Sequence, residues 1–363
     1  MSKLINNPVR RYDFVQKLEW FLIAAVTMIL IIRTQLWLTN YPQLGGSGLH
    51  IAHLLWGGLF MVISIWFGLI YLNRWSRTVL AILGGIGFGF FIDELGKFIT
   101  SDNNYFFKPA AGIIYLIFIV MFLVIRELSR RQELNPRTAL ANALALLPGI
   151  AIGEFRQEEA ERAGRLLDQA DPDDPIVGQA RSILHEATIA PSREPSRLDR
   201  TAERFRAWIG RLTTRPHFES AVIWVVILWA LSSLLSVLAI DLDVGGIQDE
   251  QGPNVDSGVI GSLESISTLA SIGFVAYGAW AMALGRHAVA YRNFGRALLV
   301  SILVTRVFVF IESQFAAVFG LGLDLILFAA ISILASRDEQ REFRFGGLGE
   351  ADLAESADSR REP

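Results

Sequence analysis

Apolar residues in this chain fall in blocks of roughly 18 to 25, the length a helix needs to cross about 30 Å of hydrocarbon. No other feature limits the possible folds so tightly. In lipid an open strand or loop leaves backbone groups unpaired, so blocks of this length read as transmembrane helices. They run at about Leu18 to Leu38, Leu49 to Leu72, Thr78 to Thr100, Ala110 to Ile125, Ser220 to Ile240, Val259 to Leu284, Phe294 to Phe315 and Val318 to Ala335. Hydrophobic residues make up 52% of 363, too many for the two or three soluble domains that this length would otherwise allow. The fold class expected is an all-α polytopic membrane protein. About eight spans form two parallel four-helix repeats, 1–126 and 217–336, with a cytosolic helical insert at 127–216 and a disordered cytosolic tail at 337–363.

Charge is segregated along the chain, so the net charge of -3 says less than its distribution. Arg10, Arg11 and Lys17, the Arg74/Arg77 turn, Arg126/Arg130/Arg131, the Arg286/Arg292/Arg296 turn and Arg337/Arg341/Arg344 all fall on one side by parity of the spans. Basic loops stay in the cytosol, which places both termini there and the protein in the cytoplasmic membrane. The other side receives Asn40 to Ser47, Ser101 to Pro109 and an acidic loop with Asp241, Asp243, Asp249, Glu250 and Asp256. A cleaved leader is disfavoured, because the first block is long, carries Arg33 and has no small-residue cleavage site before Asn40.

The halves echo each other. Each has an aromatic at the mouth of its first span (Phe14, Phe218), an arginine turn between its second and third, and an acidic motif late in its third. That motif is Phe91-Ile92-Asp93 in one half and Phe310-Ile311-Glu312 in the other. An even number of spans per half gives both the same orientation, related by an axis along the membrane normal.

Between them, Asn135-Pro136 reads as a cap and first-turn proline opening a helix through Leu147. Further helices are expected at Glu154 to Ala170, Pro175 to Ala187 and Arg197 to Arg211. The last is basic and amphipathic, with Phe205, Trp208, Ile209 and Leu212 on or near one face, and it lies either on the membrane surface or packed against the insert. A cytosolic protein is the partner the insert suggests. Acids and arginines nearly balance there, and without a basic-aromatic surface no nucleic-acid partner is expected.

Charged side chains inside spans are costly and mark function by default. The third span carries Asp93, Glu94 and Lys97, the seventh Arg306 and Glu312, the sixth Glu264 and the first Arg33. At 1.5 Å per residue, Arg33, Asp93, Glu94 and Glu312 reach the outer half of the bilayer, about 15 to 17 residues from the cytosolic entry. His50 and His53 approach the same level from outside, on one helix face. Asp93 and Lys97 stand at the i, i+4 spacing of an intrahelical ion pair. Glu264, Thr268 and Ser271 make a polar stripe facing the bundle interior, and Glu264 or Glu312 is the acid expected to meet Arg306. Gly85-x-x-x-Gly89 is a close-packing pattern.

Three functions compete. A transporter or channel would use these carboxylates along a polar pathway. A scaffold or sensor would bind its partner at the insert, the buried charges only fixing helix register. An intramembrane metal enzyme would hold a divalent ion on His50, His53 and Asp93 or Glu94 to activate water. The residues favour a non-enzyme: no HExxH, nucleophile elbow or phosphate-cradling loop occurs, no cofactor is otherwise implied, and the absence of cysteine excludes disulfides and thiolate chemistry.

Overall fold

Each apolar block becomes a helix, because a helix closes its own backbone hydrogen bonds where water is absent. The computed structural model describes residues 9–39, 53–101, 107–130, 135–187, 190, 197–241 and 257–358, and among these every regular element is helical. His50 and most of the three loops expected on the outer side lie outside the described residues, as does the expected break at Pro191 to Pro195.

In chain order the elements begin with α1 (Phe14–Leu38), α2 (His53–Ile70), α3 (Arg74–Asp93), the short α4 (Leu95–Ile99) and α5 (Lys108–Arg130). Then come α6 (Pro136–Leu144), α7 (Pro148–Ala151), α8 (Gln157–Asp168), α9 (Pro175–Glu186) and α10 (Arg197–Thr213). The rest are α11 (Phe218–Asp241), α12 (Ser257–Ala283), α13 (His287–Val300), a π-helical stretch Ser301–Thr305, α14 (Arg306–Ser313), a 3-10 turn Gln314–Ala316 and α15 (Ala317–Asp358). The helix of α15 takes in the polar tail, whose side chains beyond Asp338 are not described.

Seven helical runs among the described residues are long and apolar enough to cross a membrane. The last of them, His287–Asp338, is 52 residues long and contains both the seventh and the eighth expected blocks. It doubles back at Gln314, where φ is +49°, so that Ser301 and Arg306 of one arm meet Asp324 of the other. The helices carry broad apolar outer faces, with Leu69 79% and Phe319 86% exposed. Water would penalise such faces and lipid does not.

The chain divides into two compact units, Met1–Tyr105 with Ile117–Asp199 and Phe106–Leu116 with Arg200–Pro363. In the first, α3 packs against both α1 and α2, and its glycines make that possible. Gly87 faces Gly57 of α2 so closely that a Cβ on either would stand 2.7 Å from the other's carbonyl oxygen. Gly85 and Gly89 press on α1 at the carbonyls of Phe21 and Ala25. The Gly85-x-x-x-Gly89 pattern therefore serves α1, and Gly87, offset between them, serves α2.

The insert helices of the same unit bury Leu140, Ala143, Phe155, Leu166, Leu167 and Val177 together. Asn135 caps α6, accepting from the Thr138 N–H at 2.8 Å, and Asp174 caps α9 through Ile176 at 2.9 Å. This module sits on the segment preceding α1 and on the turn between α2 and α3. Buried Asn142 accepts from the Tyr12 N–H at 2.9 Å and donates to the Arg10 carbonyl at 2.9 Å. Asn73 donates to Glu154 at 3.0 Å, Arg74 pairs with Glu159, and the guanidinium groups of Arg74 and Arg162 stand 5.8 and 5.3 Å from the centre of the Tyr12 ring. Asn142→Ala is expected to cost roughly 1–3 kcal/mol at this seam, by stripping partners from two backbone groups. Amide exchange should accelerate in α6 and α8 and stay unchanged in α1 to α3; protection unaltered in α6 and α8 would show that Asn142 does not hold the seam.

The second unit is centred on Val226 and Trp229 of α11, Val275 of α12, Phe294 and Leu298 of α13, and Ile331 of α15. The first turns of α5 belong to it, Ala111 and Tyr115 packing on Phe310. Helix α10 is exposed from Arg200 to Trp208, with the Phe205 and Trp208 rings stacked 5.8 Å apart.

Candidate functional site

Two clusters of buried charge lie within the spans, one in each unit. In the first unit the helix is interrupted at Glu94, between α3 and α4. Arg33 of α1 spans that interruption, its Nε 2.6 Å from Asp93 Oδ1 and its Nη2 3.1 Å from the Asp93 carbonyl. It thus neutralises a carboxylate and also satisfies a carbonyl at the helix end. Glu94 turns toward α2. Its Oε1 accepts from the His53 backbone N–H at 2.5 Å, on the first residue of that helix, where carboxylates are favoured. His53 Nδ1 at 3.5 Å and Lys97 Nζ at 3.7 Å complete the group. Asp93 and Glu94 are essentially inaccessible.

The arrangement ties α1, α2 and α3 together with two acids matched by two cations. His53 is engaged with Glu94 and Asp93 with Arg33, and among the described residues no three histidines or carboxylates gather where they could hold a metal ion.

In the second unit Arg306 corrects the pairing expected from sequence. Its acid is neither Glu264 nor Glu312 but Asp324 of α15, which it grips through Nε–Oδ2 at 2.7 Å and Nη2–Oδ1 at 3.0 Å. The reason lies in the turn at Gln314, which carries α15 back alongside α14 and brings Asp324 level with Arg306. Gly320 makes room for the guanidinium, which packs where a Cβ would be. Ser301 adds a hydrogen bond to Asp324 Oδ2 at 2.7 Å. Asp324 is the one acid in an otherwise apolar block, and the cost of burying a charge is the signal that marks it.

Beside this pair lies a cavity of about 210 Å³, with room for several water molecules or a hydrated ion. Glu264, Thr268 and Ser271 of α12 line it, with Ser233 and Ser236 of α11, Thr305 and Arg306. The π-helical stretch adds a residue to the turn before Arg306, and both Ser301 and Thr305 are buried. Such insertions recur at functional sites.

The hydroxyl protons are largely committed elsewhere. Ser233 donates to the Trp229 carbonyl at 2.9 Å, Ser236 to Ser232 at 3.0 Å, Ser271 to Ser267 at 3.2 Å and Thr305 to Ser267 Oγ at 3.0 Å. What these groups offer the cavity is therefore oxygen lone pairs. Glu264 adds a carboxylate whose buried Oε2 meets no donor, and the Glu312 carboxyl is close enough for their charges to interact. Neighbouring carboxylates repel one another, and a cation entering between them relieves the repulsion. The positive charge of Arg306 is already answered by Asp324.

The sequence therefore named Glu264, Thr268, Ser271, Arg306 and Glu312 of this group and missed Asp324, Ser301, Thr305 and the α11 serines. Arg33, Asp93, Glu94, Lys97 and His53 belong to the other unit. The chain matches no family model, no curated protein and no solved structure.

Proposed function

We propose that this protein carries a proton or a small monovalent cation across the cytoplasmic membrane, through the cavity of the second unit. The observation that supports this is the chemistry of the lining: acceptor oxygens, the Glu264 carboxyl and a cation already neutralised by its own partner, with Glu312 close by. Such a site stabilises an entering positive charge and rejects an anion.

In this reading the pathway acids are Glu264 and Glu312. Arg33, Asp93, Glu94 and Lys97 act as a latch that holds the first unit rigid. The chain crosses eight times, the run His287–Asp338 counting as two crossings, with both termini and the insert in the cytosol. The two halves are parallel repeats. At the register that superposes Phe91-Ile92-Asp93 on Phe310-Ile311-Glu312, Arg77 falls on Arg296 and Trp75 on Phe294, and each helix breaks just beyond, at Glu94 or Gln314.

Flux of H⁺, Na⁺ and K⁺ into proteoliposomes tests the reading. Glu264→Gln with Glu312→Gln is expected to cut the transported ion's flux at least about tenfold, because the amides hold neither a proton nor a cation in exchange. Wild-type protein that moves none of the three ions, or a double variant that moves them as fast, sinks it.

A second reading is a sensor or scaffold whose insert receives a cytosolic protein. The ordered helical module docked on the α2–α3 turn favours it, as do Ile152, Ile176 and Ile183 exposed on its surface. Deleting Arg137 to Pro195 distinguishes the two, since loss of partner recovery with no flux in any form of the protein belongs to the sensor alone.

A further inference from the structure

We infer that the seam between the insert and the α2–α3 turn is a binding site for a phosphate-bearing molecule. The cavity there measures about 510 Å³, over twice the volume of the one between the spans of the second unit. Its lining is partly cationic and partly apolar.

Arg11, Arg74 and Arg77 form the cationic part, and Lys17 stands close enough to feel all three charges. Three acids, Asp13, Glu154 and Glu159, stand against these four cations and leave one positive charge in excess. Asp13 is buried and shared, with Arg77 Nη1 3.4 Å from one oxygen and Arg11 Nε 3.6 Å from the other. Glu159 answers Arg74, and Glu154 is engaged by the neutral Asn73 amide. Arg11 meets its acid beyond ordinary hydrogen-bond length and is half exposed, which leaves its planar donor fork available. Guanidinium groups converging on a half-open cavity are the usual recognition of phosphate, whose oxygens accept their donors in pairs.

The apolar part of the lining is formed by Tyr71 and Leu72, just past the last turn of α2, and by Ile152. All three are exposed. A ligand with a phosphate group and an apolar portion beside it satisfies both parts. A phospholipid headgroup with the start of its acyl chains has this chemistry, and so does a soluble phosphate ester carrying a ring. The site is independent of the transport reading and of what the partner at the insert is.

Purified full-length protein in phospholipid-free detergent is titrated with short-chain phosphatidic acid, with inorganic pyrophosphate and with short-chain diacylglycerol. Bound ligand is read from the rise in thermal midpoint and from quenching of tryptophan, Trp75 lying 5.3 Å from the Tyr71 ring. Saturable binding of phosphatidic acid is expected. It should weaken about tenfold in Arg11→Gln, recover only in part in Arg11→Lys, which restores the charge without the fork, and vanish in Ala145→Trp, which fills the cavity from an exposed position. Ala145 is exposed, so unliganded melting of Ala145→Trp should stay that of the wild type, and for Arg11→Gln the rise is measured from the variant's own unliganded midpoint. Phosphatidic acid binding without pyrophosphate binding assigns the site to a lipid headgroup. Pyrophosphate that binds and competes assigns it to a soluble phosphate ester. Diacylglycerol binding as tightly as phosphatidic acid, no saturable binding of any probe, or affinity unchanged in both Arg11→Gln and Ala145→Trp overturns the inference.

Discussion

Asp324→Asn is expected to destabilise the protein by roughly 3–5 kcal/mol, the range for removing one partner of a buried ion pair. Asp324 is fully buried and receives three hydrogen bonds, two from Arg306 and one from Ser301. Asparagine keeps the size but has a single acceptor oxygen, so the bidentate grip becomes at best a single bond and the charge of Arg306 is left unanswered. The Arg306 side chain is only 14% exposed, so water in the adjoining cavity answers its charge only in part, and the guanidinium is packed against Gly320. Unfolding by SDS titration, followed by tryptophan fluorescence, measures the loss. The double variant Arg306→Met with Asp324→Leu should recover most of it, because it removes the isolated charge as well as the attraction. Equal stability of Asp324→Asn and wild type would mean that the pair does not hold the α14–α15 hairpin together.

The same pair shows where the sequence stops being readable. Counting residues from the membrane entry placed Arg33 and Asp93 at one depth, and the two side chains meet at 2.6 Å. Depth also brought His53 to the level of Glu94, which accepts from its backbone N–H. Depth alone does not choose partners, however. Asp93 and Lys97 have the spacing of an intrahelical pair, yet Arg33 of another helix grips Asp93 and Lys97 stands 3.7 Å from Glu94. In the second unit the choice of partner depends on where the chain reverses. No glycine or proline marks that point: Gln314 takes the left-handed backbone value itself, against the preference of a residue with a Cβ. Without the turn position, Asp324 had no assignable neighbour. The π-helical stretch was equally hidden, since a one-residue insertion in a helix leaves an apolar run unbroken.

What was legible came from composition over long windows: helix, span length, and the polar stripe of α12. The cavity was only half legible, because α12 contributes a periodic pattern while α11 contributes two serines, Ser233 and Ser236, among leucines. Their meaning appears only when the two helices are side by side.

The glycines of the first unit carry the second large effect. Gly85→Leu with Gly89→Leu is expected to cost more than about 3 kcal/mol, above the usual range for overpacking, because the obstacle is backbone. A Cβ at Gly89 would stand 2.7 Å from the Ala25 carbonyl oxygen, and one at Gly85 would collide with that of Phe21. Neither can rotate aside as a side chain would. Helix α1 must then move off α3, and Arg33, which reaches Asp93 from α1, moves with it. The acid at the helix break would lose its cation, so the packing loss and the charge loss compound. Helix α2 provides the control that separates close approach from a general effect of glycine. Gly57 faces Gly87 with 2.7 Å left for a Cβ, whereas its neighbour Gly58 has nothing within 4 Å. Gly57→Ala should destabilise by roughly 1–3 kcal/mol, and Gly58→Ala should stabilise by up to about 1 kcal/mol, the helix-propensity gain of alanine over glycine. Both are read by the same SDS unfolding curve. Equal responses at the two positions would mean that α2 and α3 are further apart than described, and the latch at Glu94 and His53 would have to be rebuilt on that basis.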